Sequence, residues 1–328
     1  NLGYHYFSTH GSKQTDRKTI DTQTLDTISR LQHNANEIRG GGNLFVRGGI
    51  DINITDNSTL GIMAMGMTKG NGKAEETNDY LLTDYHTLDT LRYYDRTQTS
   101  HANRPAINTT ITYQYKKGKE HLLDLSAAFY QMEWNSYSIY DEKNFLTGNN
   151  TARQEQNDEN KDPTVEIQAN YEWHPNDHSR LEAGLNSTVN WAKTKAEAFD
   201  WISGEKVEML TYYNDFLNRQ QVHSLYVTYG NKFWNRLSVQ VGLRAEYLRR
   251  HLSSDYYNLN DELTHEEQDT SYVEFFPSAY LSYSFNNGHE LQLNYSRRVN
   301  RPFGHQINPR QDFSDSTNIQ YEIGRAHV

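Results

Sequence analysis

Three glutamates, Glu166, Glu172 and Glu182, are the carboxylates whose spacing could pair a general acid with a base or nucleophile, as glycoside hydrolysis requires. Their neighbours argue for a plainer role. Glu166, Gln168, Asn170 and Glu172 alternate strictly with Val165, Ile167, Ala169, Tyr171 and Trp173, so the glutamates belong to the polar face of a strand, as lumen or rim charges. The 14 histidines are scattered and form no H-E-x-x-H or comparable ligand set. Gly40-Gly41-Gly42 and Gly48-Gly49 lack the lysine of a phosphate loop and run into a strand where such a loop needs a helix. Relief of crowding and strand curvature account for them. No catalytic, metal or cofactor site is assigned. The remaining chemistry lies in Arg297, Arg298 and Arg301. On a strand ending at Asn300-Arg301-Pro302, arginines at 297 and 301 cannot face lipid at depth, where each costs about 2 to 4 kcal/mol. They must lie beyond an apolar band or turn inward, there to pair with carboxylates or meet an anionic substrate.

The elements that carry these residues are strands. Leu181, Ala183, Leu185 and Val189 oppose Glu182, Asn186, Thr188 and Asn190. Leu237, Val239, Val241, Leu243, Ala245 and Tyr247 oppose Ser238, Gln240, Gly242, Arg244 and Glu246. Ile50, Ile52 and Ile54, and Leu291, Leu293 and Tyr295, repeat the arrangement near the two ends. These alternating cores run about nine to eleven residues, the length a tilted strand needs to cross a hydrocarbon layer and longer than the five or six usual in soluble sheets. Many continue into polar, aromatic-rich stretches, as from Tyr130 to Tyr140 and from Trp191 to Trp201, so the strands should project beyond the membrane on one side.

Five short polar turns punctuate the pattern: Thr55-Asp56-Asn57-Ser58, Lys116-Lys117-Gly118-Lys119, Asn176-Asp177-His178-Ser179, Asn231 to Asn235, and Asn286-Asn287-Gly288. Their interval of about 55 to 61 residues leaves room for two long strands and one long loop. Short turns at one end and long loops at the other describe a transmembrane antiparallel up-and-down β-barrel. The expected architecture is all-β, an incomplete arc of about ten to eleven strands.

Composition agrees. Hydrophobic residues make up 35% of 328, and no apolar run approaches the 18 or more residues of a membrane helix. A barrel needs apolar residues only at alternate positions. Trp173, Phe233 and Trp234 sit beside short turns, where amphipathic rings meet headgroups. The absence of cysteine excludes a disulfide scaffold and thiolate metal sites. A net charge of -10 argues against nucleic-acid binding. The densest acidic stretches, Glu155 to Asp162 and Asp255 to Asp269, fall midway between short turns and are expected at solvated loop tips.

The region from Phe275 to Asn318 carries a family resemblance. Phe276, Pro277 and Ser278 open a strand of the form FPS-x-x-L-x-Y. Tyr295, Ser296, Arg297, Arg298, Arg301 and Pro302 form YSRR-V-x-RP, and Asn308 and Pro309 lie in the loop that follows, ahead of Asp315 and Asn318. This resembles the TonB-dependent receptor-like outer-membrane barrels of Bacteroidetes. The G-N-P-x-L-x-P-E stretch expected after Asn318 is absent.

The resemblance implies the outer membrane of a Gram-negative cell, with outer-membrane lipid and lipopolysaccharide as surroundings; an outer-membrane enzyme would need a compact catalytic constellation near the rim, and the sequence offers none. The resemblance also implies TonB-dependent uptake of a large nutrient such as an iron chelate or glycan, with a plug domain in the intact chain and the TonB energy-coupling complex as partners. A plug-less structural or adhesive barrel is the alternative. At about 57 residues per hairpin, a barrel of 22 strands takes roughly 600 to 650 residues, so residues 1–322 are expected to be part of a larger barrel whose beginning lies upstream. The last six residues, Ile323 to Val328, resemble a translated sequencing-adapter sequence and are set apart from it.

Overall fold

The computed structural model describes residues 1–21, 23–146, 150–258, 260–301, 307–308, 311–315 and 318–321. Residues 322–328, which include the six set apart above, lie outside the described residues, as do Pro302 and Pro309. One antiparallel sheet dominates. Its strands are β1 (Leu2–Ile20), β2 (Thr27–Thr55), β3 (Ser58–Asp84), β4 (Thr90–Asn103), β5 (Ala106–Lys117), β6 (His121–Asn144), β7 (Asn150–Asn176), β8 (Ser179–Ile202), β9 (Glu205–Glu208), β10 (Asn214–Phe233), β11 (Leu237–Tyr257), β12 (Leu263–Ser284) and β13 (Glu290–Ser296). A separate pair, β14 (Gln311–Asp315) and β15 (Asn318–Tyr321), follows.

β4 and β5 both lie between β3 and β6 and keep a single register against β6, so they are one strand interrupted at Arg104-Pro105. Proline has no N–H to give the ladder. Its carbonyl is still used, accepting from the Glu133 amide at 2.9 Å. With β9 a short return along β8, the sheet amounts to eleven strands among the described residues, joined in up-and-down order, with β1 and the seven-residue β13 at its two ends. This agrees with the all-β barrel architecture and the ten to eleven strands expected.

All five predicted short turns join consecutive strands. The opposite ends differ from expectation. In place of long loops, the strands themselves run on: β2 has 29 residues, β3 and β7 have 27 each, and β6 and β8 have 24 each. The turn chemistry shows how they close. Asp21 Oδ1 accepts from the amides of Gln23 and Thr24 at 2.7 and 3.0 Å, and Asp84 Oδ1 from those of His86 and Thr87 at 2.9 and 2.8 Å. Each turn is completed by a leucine at positive φ, Leu25 or Leu88. A D-x-x-T-L-D motif thus closes two hairpins tightly. The acidic stretch Glu155 to Asp162 accordingly lies inside β7, paired to β6 and β8, and Asp255 to Asp269 forms the end of the β11–β12 hairpin. The first corrects the expected loop tip, backbone pairing satisfying the polar groups that a loop would have left to water; the second is a hairpin tip as expected, its turn closed between Asn258 and Glu262.

Register converts the alternation into two faces. Directly opposite residues from β2 to β12 run Ile52, Leu60, Tyr113, Leu125, Ala169, Leu185, Leu225, Ala245, Phe275. The adjacent row runs Asp51, Gly61, Thr112, Ser126, Gln168, Asn186, Ser224, Glu246, Glu274. The first is wholly apolar and the second has no apolar side chain. Leu225 and Leu243 on the apolar face are 66% and 47% exposed, as a lipid-facing surface requires. Along β11 that face runs from Leu237 to Tyr247, and Trp173, Phe233 and Trp234 ring its short-turn margin. At about 3.4 Å per residue, β3 runs about 90 Å against an apolar band about 25 Å tall. Most of it stands outside the membrane.

One irregularity marks the boundary. β3 shifts register by one between its membrane half and its outer half against β2, at Gly40 and Gly42, and does so again between β5 and β4. The extra residue therefore sits in β3 itself, at Gly70-Asn71-Gly72, as a β-bulge. Opposite it, a Cβ on Gly42 would overlap the Tyr4 ring, so the glycine there admits a close approach.

The two faces should respond oppositely to charge. Val241, 51% exposed near the middle of the apolar band, should lose about 2 to 4 kcal/mol on replacement by arginine. Asn294→Arg on the inward face should assemble normally. Equal yields of folded, heat-modifiable protein from the two variants would contradict this assignment.

Candidate functional site: the inner wall and its charge network

The polar face builds its features from the register. Glu172 of β7 lies directly opposite Glu182 of β8. Two like charges so placed repel, and Arg180 resolves this by pairing with both, reaching Glu172 at 2.8 Å, while His174 contacts Glu172 as well. Glu166 instead accepts from Asn186 at 2.6 Å. The three carboxylates are thus held as wall charges.

Higher on the same face, Glu246 of β11 lies directly opposite Glu274 of β12. Here too arginines intervene. Arg301 reaches Glu246 at 2.6 Å and Glu274 at 3.9 Å, Arg244 reaches Glu246 at 2.6 Å, and Arg297 reaches Glu274 at 3.4 Å. Arg301 is distant in sequence from its partners and comes from beyond β13. That strand stops at Ser296, and Arg297 turns inward at the point where continued alternation would have set it against lipid. Its amide donates to the Pro277 carbonyl at 3.2 Å and its side chain to the Phe275 carbonyl at 3.1 Å, so the guanidinium lies over the Phe276 ring, 5.7 Å from its centre. The inward turn expected for these arginines is what the chain adopts.

Glycines leave space for this wall. A Cβ at Gly184 would lie 2.6 Å from the Tyr226 ring, so Tyr226 of β10 lies flat across β8 and donates to Asn170 Oδ1 of β7 at 2.7 Å. Gly242 does the same for the Ser278 hydroxyl. Between them opens a pocket of about 510 Å³, lined by Tyr226, Arg244, Glu246, Phe276, Pro277, Ser278, Ser296, Arg297, Arg298 and Arg301. The structure therefore gathers Phe276, Pro277, Ser278, Ser296, Arg297, Arg298 and Arg301 into one place. Tyr295 faces outward, and Asn308 departs to the far end of β10, where it is buried and donates to Asn214 Oδ1 at 3.1 Å. Nothing in the linear sequence pairs Glu246 with Glu274. Only their shared inward parity hints at it, and the register supplies the rest.

Above the membrane the inner wall becomes aromatic. His33, Tyr80 and Tyr94 stack across β2, β3 and β4 at 4.4 and 4.7 Å, with the Arg92 guanidinium 4.2 Å from the Tyr94 ring centre. Arg96 lies over Tyr140 at 4.5 Å. The chain between β9 and β10 folds inward through a short 3-10 turn (Leu210–Tyr212). Tyr212 covers Ala196 and Ala198 and, with Tyr140, donates to Gln156 Oε1. On the outer face of this projecting region, Asp79 lies opposite Asp95, and burial followed by that neighbouring carboxyl pushes Asp95 up to about 6. Glu155 is held low by Lys206 at 2.9 Å. Among the described residues no three His, Asp or Glu side chains gather as a metal site.

Comparison with known proteins places this geometry. The family described as the outer membrane protein beta-barrel family matches residues 113–321, more than half of the chain. No curated protein matches the sequence. The crystal structure of the outer membrane protease OmpT from Escherichia coli is similar at 12% identity over 87% of this chain and 97% of that one. Its TM-score is 0.28, too low to transfer anything to this chain.

Two outcomes test the electrostatics. Glu246→Gln leaves Arg301, whose side chain is 19% exposed, short of its closest partner and should lower stability by about 2 to 3 kcal/mol. Adding Arg301→Gln should recover part of that loss in a double-mutant cycle of denaturant unfolding. Asp95 titrates with the opposite sign to an ion-paired carboxylate. Its folded pKa lies above the unfolded value, so its cost is fully present above about pH 6 and is relieved as pH falls towards 4. Asp95→Asn should therefore stabilise the fold at pH 7.5 by about 1 kcal/mol and flatten the stability profile between pH 4 and 7.

Proposed function

The chain belongs to the outer membrane protein beta-barrel family, and we propose that the intact protein is a receptor for TonB-dependent uptake of a large nutrient such as an iron chelate or a glycan. The observation that carries this reading is the state of the inner wall. Its polar row is continuous from β2 to β12, and at the β12 end of that row Glu274 Oε2 and Arg301 Nε are buried with no hydrogen-bond partner among the described residues. Buried polar atoms of this kind cost stability unless a partner satisfies them. A plug domain seated in the lumen would lie against this charged wall, where the Arg244 and Arg297 side chains are 40% and 54% exposed, and its displacement by the energy-coupling complex frees the wall to pass a ligand. The TonB-dependent receptors of Bacteroidetes, which the Phe276 to Pro309 motif resembles, work in this way.

The height of the wall supports the same role. Strands of 20 to 29 residues raise an aromatic and cationic inner surface well above the membrane, where a scarce solute is first met. Charged and aromatic side chains facing one lumen suit a bulky, polar, hydrogen-bonding ligand better than a small ion.

Deletion of the gene should slow growth on limiting amounts of one iron chelate or glycan, and deletion of TonB should reproduce the defect without additive effect. Unchanged growth and uptake across a panel of both ligand classes would instead favour a plug-less structural or adhesive barrel.

A further inference from the structure

Immediately above the apolar band, the outward face turns basic on β8, β10 and β11, while β12 carries Ser271 and Asp269 at the same level. On β11 the outward residues pass from Ala245 and Tyr247 to Arg249 and His251, and on β8 from Val189 to Trp191 and Lys193. The register sets Arg219 of β10 directly opposite both Trp191 and His251, with Arg249 one step nearer the band on β11. A row of tryptophan, arginine and histidine thus crosses three strands, with a second arginine diagonal to the first.

Most cations nearby are already engaged. Lys193 pairs with Asp215 at 3.1 Å, and His251 with Asp269 at 3.2 Å. Arg219 and Arg249 differ. Both are exposed, and neither has a hydrogen bond or ion pair among the described residues. A guanidinium presents a planar fork of donors matched to phosphate, and two at neighbouring positions can hold one phosphate from both sides. Snorkelling alone explains a lone arginine at a membrane margin. It does not call for two free ones flanked by an aromatic ring at the level of the headgroups.

Location selects the ligand. Short turns mark the periplasmic end of such barrels, so this margin lies in the outer leaflet of the outer membrane. The lipid of that leaflet is a phosphorylated glycolipid. We propose that Arg219 and Arg249 form a binding site for the phosphate of lipopolysaccharide, with Trp191 packed at the boundary between its sugar and its acyl chains. The site lies on the lipid-facing exterior and is independent of the uptake reading.

The full-length protein, purified in detergent, is titrated with lipid A and with dephosphorylated lipid A, and binding is read by native mass spectrometry. Wild-type protein should retain lipid A and bind the dephosphorylated form far more weakly. The Arg219→Ala/Arg249→Ala variant should bind lipid A about thirtyfold more weakly, the loss expected for two basic residues at an anionic surface. Arg219→Lys/Arg249→Lys, which keeps the charge and loses the fork, should fall between them, and it provides the reading if the alanine pair does not assemble. Lys232→Ala/Arg236→Ala at the short-turn end should match wild type. The proposal is overturned by equal affinity for both lipids, by an undiminished alanine or lysine pair, by an equal loss in the short-turn control, or by displacement of lipid A with inorganic phosphate at low millimolar concentration.

Discussion

Within hydrocarbon there is no water to satisfy a backbone amide or carbonyl, so every such group crossing the membrane must be paired inside the protein. That requirement organises the rest of the chain. It imposes the antiparallel ladder, the ladder fixes register, and register brings alternate residues of every strand into common rows. The apolar row from Ile52 to Phe275 and the polar row from Asp51 to Glu274 follow from one pairing scheme. A slip of one residue in any strand would exchange its contributions to the two rows. The pattern is thus specified cooperatively, and chain departures such as Pro105 or Arg297 occur where the ladder can afford them.

Much of this was legible because the side-chain period of a strand is written directly in the sequence. Val239, Val241 and Leu243 against Gln240, Gly242 and Arg244 declare a strand and its two faces without reference to any other strand. The five short turns were equally readable from their Asn, Asp, Gly and Lys content. The outer halves of the hairpins were legible only in part: the projecting stretches Tyr130 to Tyr140 and Trp191 to Trp201 do lie within β6 and β8, but where both faces meet water the alternation weakens. Glu155 to Asp162 looks like a solvated loop until its pairing to β6 and β8 is known. A signal was nonetheless present in the repeated D-x-x-T-L-D at Asp21 and Asp84, whose turn chemistry leaves no space for a long loop. The charge network was legible in part. The inward turn of Arg297 and Arg301 follows from the cost of arginine in lipid, whereas their carboxylate partners depend on which strands are adjacent.

The inner wall uses one electrostatic arrangement twice. Glu172 and Glu182 face each other across one ladder, Glu246 and Glu274 across another, and in each case an arginine lies between them. The first arginine is local, two residues from Glu182 on the same strand. The second arrives from beyond β13, so the pair at Glu246 and Glu274 is completed only when the far end of the described sheet has folded against it. The lower wall is self-sufficient, and the upper wall couples distant parts of the chain.

The bulge at Gly70-Asn71-Gly72 gives β3 two phases. Below it odd-numbered residues such as Gly61 face the lumen, and above it even-numbered ones such as Asn78 and Tyr80 do. The strand is therefore two coding problems joined by a single spacer residue. Selection on the membrane half, constrained by bilayer thickness, need not propagate into the half that meets the outside world. Segments could be exchanged at that joint, and an outer surface replaced wholesale by recombination, while the embedded half kept its parity.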